Sequence, residues 1–281
     1  MRSACSLPSD CLSDGLRAAS ERSRVTKRSE PIFNVPIVVL AVVVVCVVVH
    51  LVRTYMFTDA DDDTFLGLFA FIPARYDHAL ALRMGIPDSW ACDAWTFVTY
   101  AFIHGSWMHL LLNTVWLLPF GSAVARRFGS WRFLAFFVAT AIAGALAHLV
   151  THPGAEQLVV GASGAISGFM AAATRFAFQR NGPLTLIGAG EEAYRVPAVP
   201  LTEALRDRRI VVFLGMWFGL NILFGIGTLA VPGIDQQVAW QAHIGGFLAG
   251  LLLFPLFDPV VAPPPPALDG SGGEEQPPAI E

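Results

Sequence analysis

The chain has 281 residues, of which 54% are hydrophobic and only 14% charged. Soluble domains carry roughly 25% charge, so a soluble globular protein is excluded. The net charge of −4 comes with no basic stripe outside the loops, and no nucleic-acid partner is expected. Cys5, Cys11, Cys46 and Cys92 show neither metal-ligand spacing nor a disulfide framework.

Residues 1–31 form a basic tail closed by "SERSRVTKRSE". The first apolar run starts too far from Met1 for a secretory signal, so the tail is expected to be retained. Six apolar segments follow, at about 32–52, 95–125, 133–150, 158–178, 210–230 and 238–257. Runs of about 18 or more apolar residues read as membrane spans, which predicts an all-α polytopic protein with a six-helix core over 32–257. The first, "PIVVLAVVVVCVVVHLV", is β-branched enough for a strand in water, but its length favours a span in which Cys46 only packs. Residues 53–94 form a long loop carrying "DADDD". In the second segment "FIHGSWMH" is the entry, and the span starts near Trp107. Trp90, Trp95 and Trp107 suit an aromatic belt. The prolines and acids of 258–281 predict a disordered tail.

All Lys and Arg except Arg53, Arg75 and Arg83 fall in the N-terminal tail or in the loops on its side. The positive-inside rule then places both termini in the cytoplasm. With that topology, the polar residues of three spans reach similar depth in the outer half of the membrane. They are His104, His109 and Asn113 in span two, Ser163 and Ser167 in span four, and His243 in span six.

Intramembrane polar residues are costly and tend to mark function. A serine hydroxyl needs a neighbouring base to become a nucleophile, and His243 is the candidate base for Ser163. The Ser163 N–H at a helix start has no intrahelical partner and can donate to an oxyanion. His109 and Asn113, spaced i and i+4, share a helix face and can supply side-chain donors. Gly161 and Gly164 allow a tight turn beside Ser163. Gly164 with Gly168, and Gly246 with Gly250, are small-xxx-small pairs that let two spans pack closely. No Asp or Glu lies within these spans, so the expected machinery is a Ser–His dyad.

Blander readings exist for each residue taken alone. Ser163 could ease packing, His243 could be a satisfied interior histidine, and His109 with Asn113 could form an interhelical hydrogen-bond pair. A metal site at His104, His109 and His243 competes more sharply. The five-residue spacing of the first two and the lack of a carboxylate weigh against it, so neither a metal nor a cofactor is expected. His148 and His152 read as interfacial.

The motifs "HGSWMHLLLN", "GASG" and "AHIGGFLAG", in this order, resemble the rhomboid intramembrane serine proteases. The resemblance covers the six-span core. It implies Ser163 as nucleophile, His243 as base, and His109 and Asn113 as oxyanion-hole side chains. It further implies a structural role for His104, and for Gly246 and Gly250 the close approach of the histidine helix to the serine helix. Two departures stand out. Ser167 occupies a position where some members stack an aromatic on the histidine, and a hydrogen bond to the histidine is expected in its place. The 53–94 loop lacks the family's Trp-Arg pair; Trp131–Arg132 lies in an inner loop.

The resemblance implies an endopeptidase acting in or next to transmembrane segments of membrane-protein substrates. The loop charges place its site toward the outer side, and for a bacterial source the expected location is the inner membrane. A silent rhomboid-like protein that binds transmembrane helices is the alternative, although this chain keeps both Ser163 and His243. A channel would need polar residues through the full depth of the bilayer. Oligomeric state is open.

Overall fold

The computed structural model describes residues 35–87, 89–184, 190–225 and 239–260. The N-terminal tail, most of the proline-rich tail, the end of the fifth apolar segment and the approach to the sixth lie outside the described residues.

Among the described residues five helices are long and apolar enough to cross a membrane, which makes this an integral membrane protein. They are α1 (Ile37–Tyr55), α5 (Trp107–Phe128), α6 (Ser130–Thr151), α8 (Arg208–Gly225) and α9 (Trp240–Phe257). Among the described residues there is no named strand, only an isolated bridge between Phe71 and Val159. The architecture is the expected all-α bundle.

The fourth apolar segment departs from the expected 158–178 span. Its helix, α7, covers only Ser163–Ala173. Upstream, Phe71 and Val159 exchange backbone hydrogen bonds of 3.2 and 2.7 Å, and the Gly161 N–H donates to the Tyr100 carbonyl at 3.0 Å. These bonds hold the chain out of the helix up to the turn at Gly161. From Gly164 to Ala173 every residue of α7 is buried. A helix apolar on all sides belongs in the interior, and here small residues let neighbours approach from every direction.

The closest approach is between α7 and α9. A Cβ added to Gly246 would overlap the Gly164 carbonyl, and one added to Gly250 would lie 2.6 Å from the Gly168 Cα. The two small-xxx-small pairs therefore face one another. On the other flank α6 joins them: a Cβ on Gly245 would lie 2.6 Å from the Ala143 carbonyl oxygen. Phe169 of α7 stacks on Phe133 of α6 at 4.7 Å. Between membrane-spanning helices, such packing and hydrogen bonding replace the hydrophobic drive.

The segment between α1 and α5, read from sequence as a loop, contains α2 (Asp59–Phe69), α3 (His78–Met84) and α4 (Trp90–Thr99). The acidic run "DADDD" is the first turn of α2, where carboxylates meet the positive end of the helix dipole. Thr58 and Asp61 form a capping box there. Arg75, buried in this segment, donates to the carbonyls of Pro87 at 3.1 Å and of Gly67. Trp95 Nε1 donates to the Leu68 carbonyl at 2.7 Å.

At the end of α9 remote from His243, Arg127 of α5 makes a two-pronged ion pair with Asp258, 2.8 Å on each prong. The Arg127 guanidinium also donates to the Tyr194 and Val196 carbonyls at 2.9 and 2.8 Å. Arg175 donates to the Val199 carbonyl at 2.7 Å. Residues 194–199 are thus pinned to the ends of the helices.

Candidate active site

Three helix N-termini meet at one end of the bundle. Ser106 caps α5 by accepting from the His109 N–H at 3.2 Å, so His109 and Asn113 project from its first two turns on one side. Ser163 is the first residue of α7, where the backbone N–H has no intrahelical acceptor. His243 stands in the first turn of α9.

The close packing of α7 on α9 brings two of these side chains into contact. His243 Nε2 lies 2.7 Å from Ser163 Oγ. Both residues are partly buried.

His109 approaches from α5. Gly161 has φ +116°, a conformation open to glycine and strained for other residues. A Cβ there would lie 2.7 Å from His109 Nε2 and 3.8 Å from Asn113 Nδ2. Gly161 therefore serves twice, turning the chain into α7 and clearing room for the imidazole. His109 Nδ1 faces the Gly105 N–H at 3.5 Å, which leaves Nε2 as the protonated nitrogen, directed at the turn before Ser163. Asn113 Nδ2 donates to the His109 carbonyl at 2.9 Å and keeps its second amide hydrogen.

His104 is almost fully buried, with its ring edge-on to His109 at 5.1 Å. Its carbonyl accepts from His50 Nδ1 at 3.1 Å and Arg53 Nη1 at 3.0 Å. Arg53 is itself held by Asp62 through bonds of 2.7 and 2.8 Å. His50, Arg53 and Asp62 were not singled out from sequence. Together they fix the entry to α5 and so the direction of His109.

Ser167 does not bond to His243. Its hydroxyl donates to the Ser163 carbonyl at 2.7 Å, an i to i−4 bond common for serine in helices. Gly164 and Gly246 lie at the contact that sets the Ser163–His243 separation, and Gly250 lies one turn deeper. Ser163, His243, His109, Asn113, His104, Gly161, Gly164 and Gly246 thus gather at one end of the bundle, with Ser167 turned away from the histidine.

A fourth residue was missed. Asn221 of α8 is buried at 8% exposure, and its amide oxygen hydrogen-bonds with His243 Nδ1. Its Nδ2 donates to the Trp217 carbonyl at 2.8 Å. One turn away Trp217 stacks on Phe247 at 4.7 Å. Two i, i+4 pairs, Trp217 with Asn221 and His243 with Phe247, therefore face each other as two rungs. A lone asparagine in an apolar span was the available signal.

The chemistry this permits is proton transfer from Ser163 Oγ to His243 Nε2, beside N–H donors from the Ser163 backbone, His109 and Asn113. The rhomboid domain family model matches residues 91–258. The chain is 33% identical over 163 residues to the rhomboid protease GlpG of Enterobacter sp. (strain 638), covering 57% of this chain and 48% of that protein. It is 29% identical over 159 residues to the rhomboid-like protease 3 of Toxoplasma gondii, covering 57% and 50%. With the RHOMBOID-like protein 5 of Arabidopsis thaliana it shares 26% identity over 161 residues, covering 57% and 43%. The chain thus spans about half the length of the relatives it matches.

Proposed function

The chain belongs to the rhomboid family, and from that premise we propose that it is an intramembrane serine endopeptidase using Ser163 and His243. The observation that carries this reading is the 2.7 Å separation of His243 Nε2 and Ser163 Oγ. Ser163 Oγ attacks a substrate carbonyl as Nε2 takes its proton. The resulting oxyanion is held by the Ser163 N–H, the His109 Nε2–H and the free amide hydrogen of Asn113. The imidazolium then protonates the departing amine, leaving an acyl-enzyme that water hydrolyses by the same proton path.

The substrates are transmembrane segments of other proteins. A helical carbonyl is already hydrogen-bonded, so the scissile region must unwind to reach Ser163. Small residues at the cut and glycine or proline beyond it lower that cost. The distribution of Lys and Arg supports cytoplasmic termini and a site opening on the outer, periplasmic side of a bacterial inner membrane.

The test is cleavage of a transmembrane reporter by purified protein in liposomes. Cleavage lost in Ser163→Ala, and faster for a reporter with glycine in its span than for an all-leucine one, is expected. A folded wild-type protein that binds such reporters without cutting them would instead identify a helix-binding member.

A further inference from the structure

A histidine that accepts a proton from serine at Nε2 must carry its own proton on Nδ1. Free imidazole populates both tautomers, and which one a site holds is set by the partner of the other nitrogen. Here that partner comes from a helix outside the α7–α9 pair. Asn221 is an amide in an otherwise apolar stretch, "MWFGLNILFG", and it is buried. Polar side chains in such spans are costly and need partners.

The orientation of the amide follows from both its ends. Its Nδ2 donates to the Trp217 carbonyl, so Oδ1 is the atom turned to His243 Nδ1. Rotating the amide by half a turn would set Oδ1 against the Trp217 carbonyl, acceptor against acceptor. The same rotation would present an N–H to Nδ1, force the imidazole proton onto Nε2, and remove the acceptor that Ser163 needs. Register is held one turn away by Trp217 stacked on Phe247 and Phe218 edge-on to the same ring. Ser167, one turn beyond Ser163, is committed to the Ser163 carbonyl.

Resting on the protease reading, we propose that Asn221 is a positioning residue that fixes the Nδ1–H tautomer and the ring plane of His243. It does the orienting work that a buried carboxylate or a stacked aromatic would do elsewhere, without placing an acid in the membrane. A neutral amide orients the ring but contributes no full charge to steady the imidazolium, so its effect falls on alignment of the base.

The test combines kinetics with nitrogen-15 NMR of histidine-labelled protein, the His243 signals being assigned by their loss in His243→Ala. Asn221→Ala and the size-matched Asn221→Leu are expected to lower kcat on a transmembrane reporter about 10- to 100-fold, part of the 10²–10⁴ that a positioned base contributes, with KM unchanged. Asn221→Asp keeps the acceptor and is expected to recover most of that loss. In the spectra His243 is Nδ1-protonated in the wild type and shifts toward the Nε2–H form in the Ala and Leu variants. Rates within twofold of wild type in both variants, or an unchanged His243 tautomer, would overturn the proposal. Should the wild type cut no reporter, the protease reading fails by itself, and the tautomer readout alone decides the role of Asn221.

Discussion

Gly246 of α9 lies directly against the carbonyl of Gly164 of α7, with no room for a side-chain carbon between them. Ser163 precedes the one and His243 lies a turn before the other, so this backbone contact sets the reach of imidazole to hydroxyl. Enlarging it moves the two reacting groups apart.

Gly246→Ala is therefore expected to cost more in activity than in stability. Overpacking costs about 1–3 kcal/mol. A misplacement of about 1 Å can cost on the order of 100-fold in rate. Reporter cleavage and thermal unfolding of the same preparation separate the two effects. Gly250→Ala, one turn deeper, is expected to reduce stability similarly with a smaller loss of rate.

The oxyanion donors make a different prediction. His109→Ala or Asn113→Ala is expected to lower kcat about 10²–10³-fold with little change in KM, because the donors act on charge that develops only during the reaction. A rate unchanged on losing Asn113 would remove it from that role.

Much of this was readable before the structure. Ser163, His243, His109 and Asn113 stand out in the sequence because polar residues in apolar spans are few, and the structure brings them to one end of the bundle. The facing glycine pairs were found because small residues four apart form a stripe. The short fourth helix was not, since an apolar run looks the same whether it spans a bilayer or ends early inside a bundle. What stops α7 upstream is backbone bonding to Phe71 and Tyr100, distant in sequence. Asn221 escaped for a related reason: its meaning depends on which face of α8 meets α9, and the Trp217–Phe247 contact that settles this joins residues thirty positions apart. The helices of the 53–94 segment hid behind an acidic run that is in fact a helix start.

At the far end of α9, Arg127 and Asp258 have side-chain exposures of 0% and 7%. Breaking a buried pair from one side leaves an uncompensated charge. Arg127→Met alone is expected to cost about 3–5 kcal/mol, whereas Arg127→Met with Asp258→Leu should cost clearly less than either single change. Equilibrium unfolding of the three variants checks this coupling. Additive losses would mean that the pair contributes no interaction of its own.

The capping box of α2 carries a pH dependence. The Thr58 hydroxyl and backbone N–H hold the Asp61 carboxyl below its ordinary value. A carboxylate with a lowered folded pKa stabilises above its unfolded value, and that contribution is lost as pH falls through the folded one. Amide protection in the first turn of α2, corrected for intrinsic exchange, is expected to be constant at neutral pH and to drop below about pH 4. Asn in place of Asp61 should remove the dependence; if the drop persisted in Asp61→Asn, its origin would lie elsewhere.

Activation of Ser163 as a nucleophile by His243 underlies the proposed activity. It is tested most directly by reaction of the purified protein with a fluorophosphonate and mass-spectrometric mapping of the adduct. One adduct is expected, on Ser163, absent in Ser163→Ala and formed about 10²–10⁴-fold more slowly in His243→Ala. Labelling at another residue, or at an undiminished rate without His243, would contradict it.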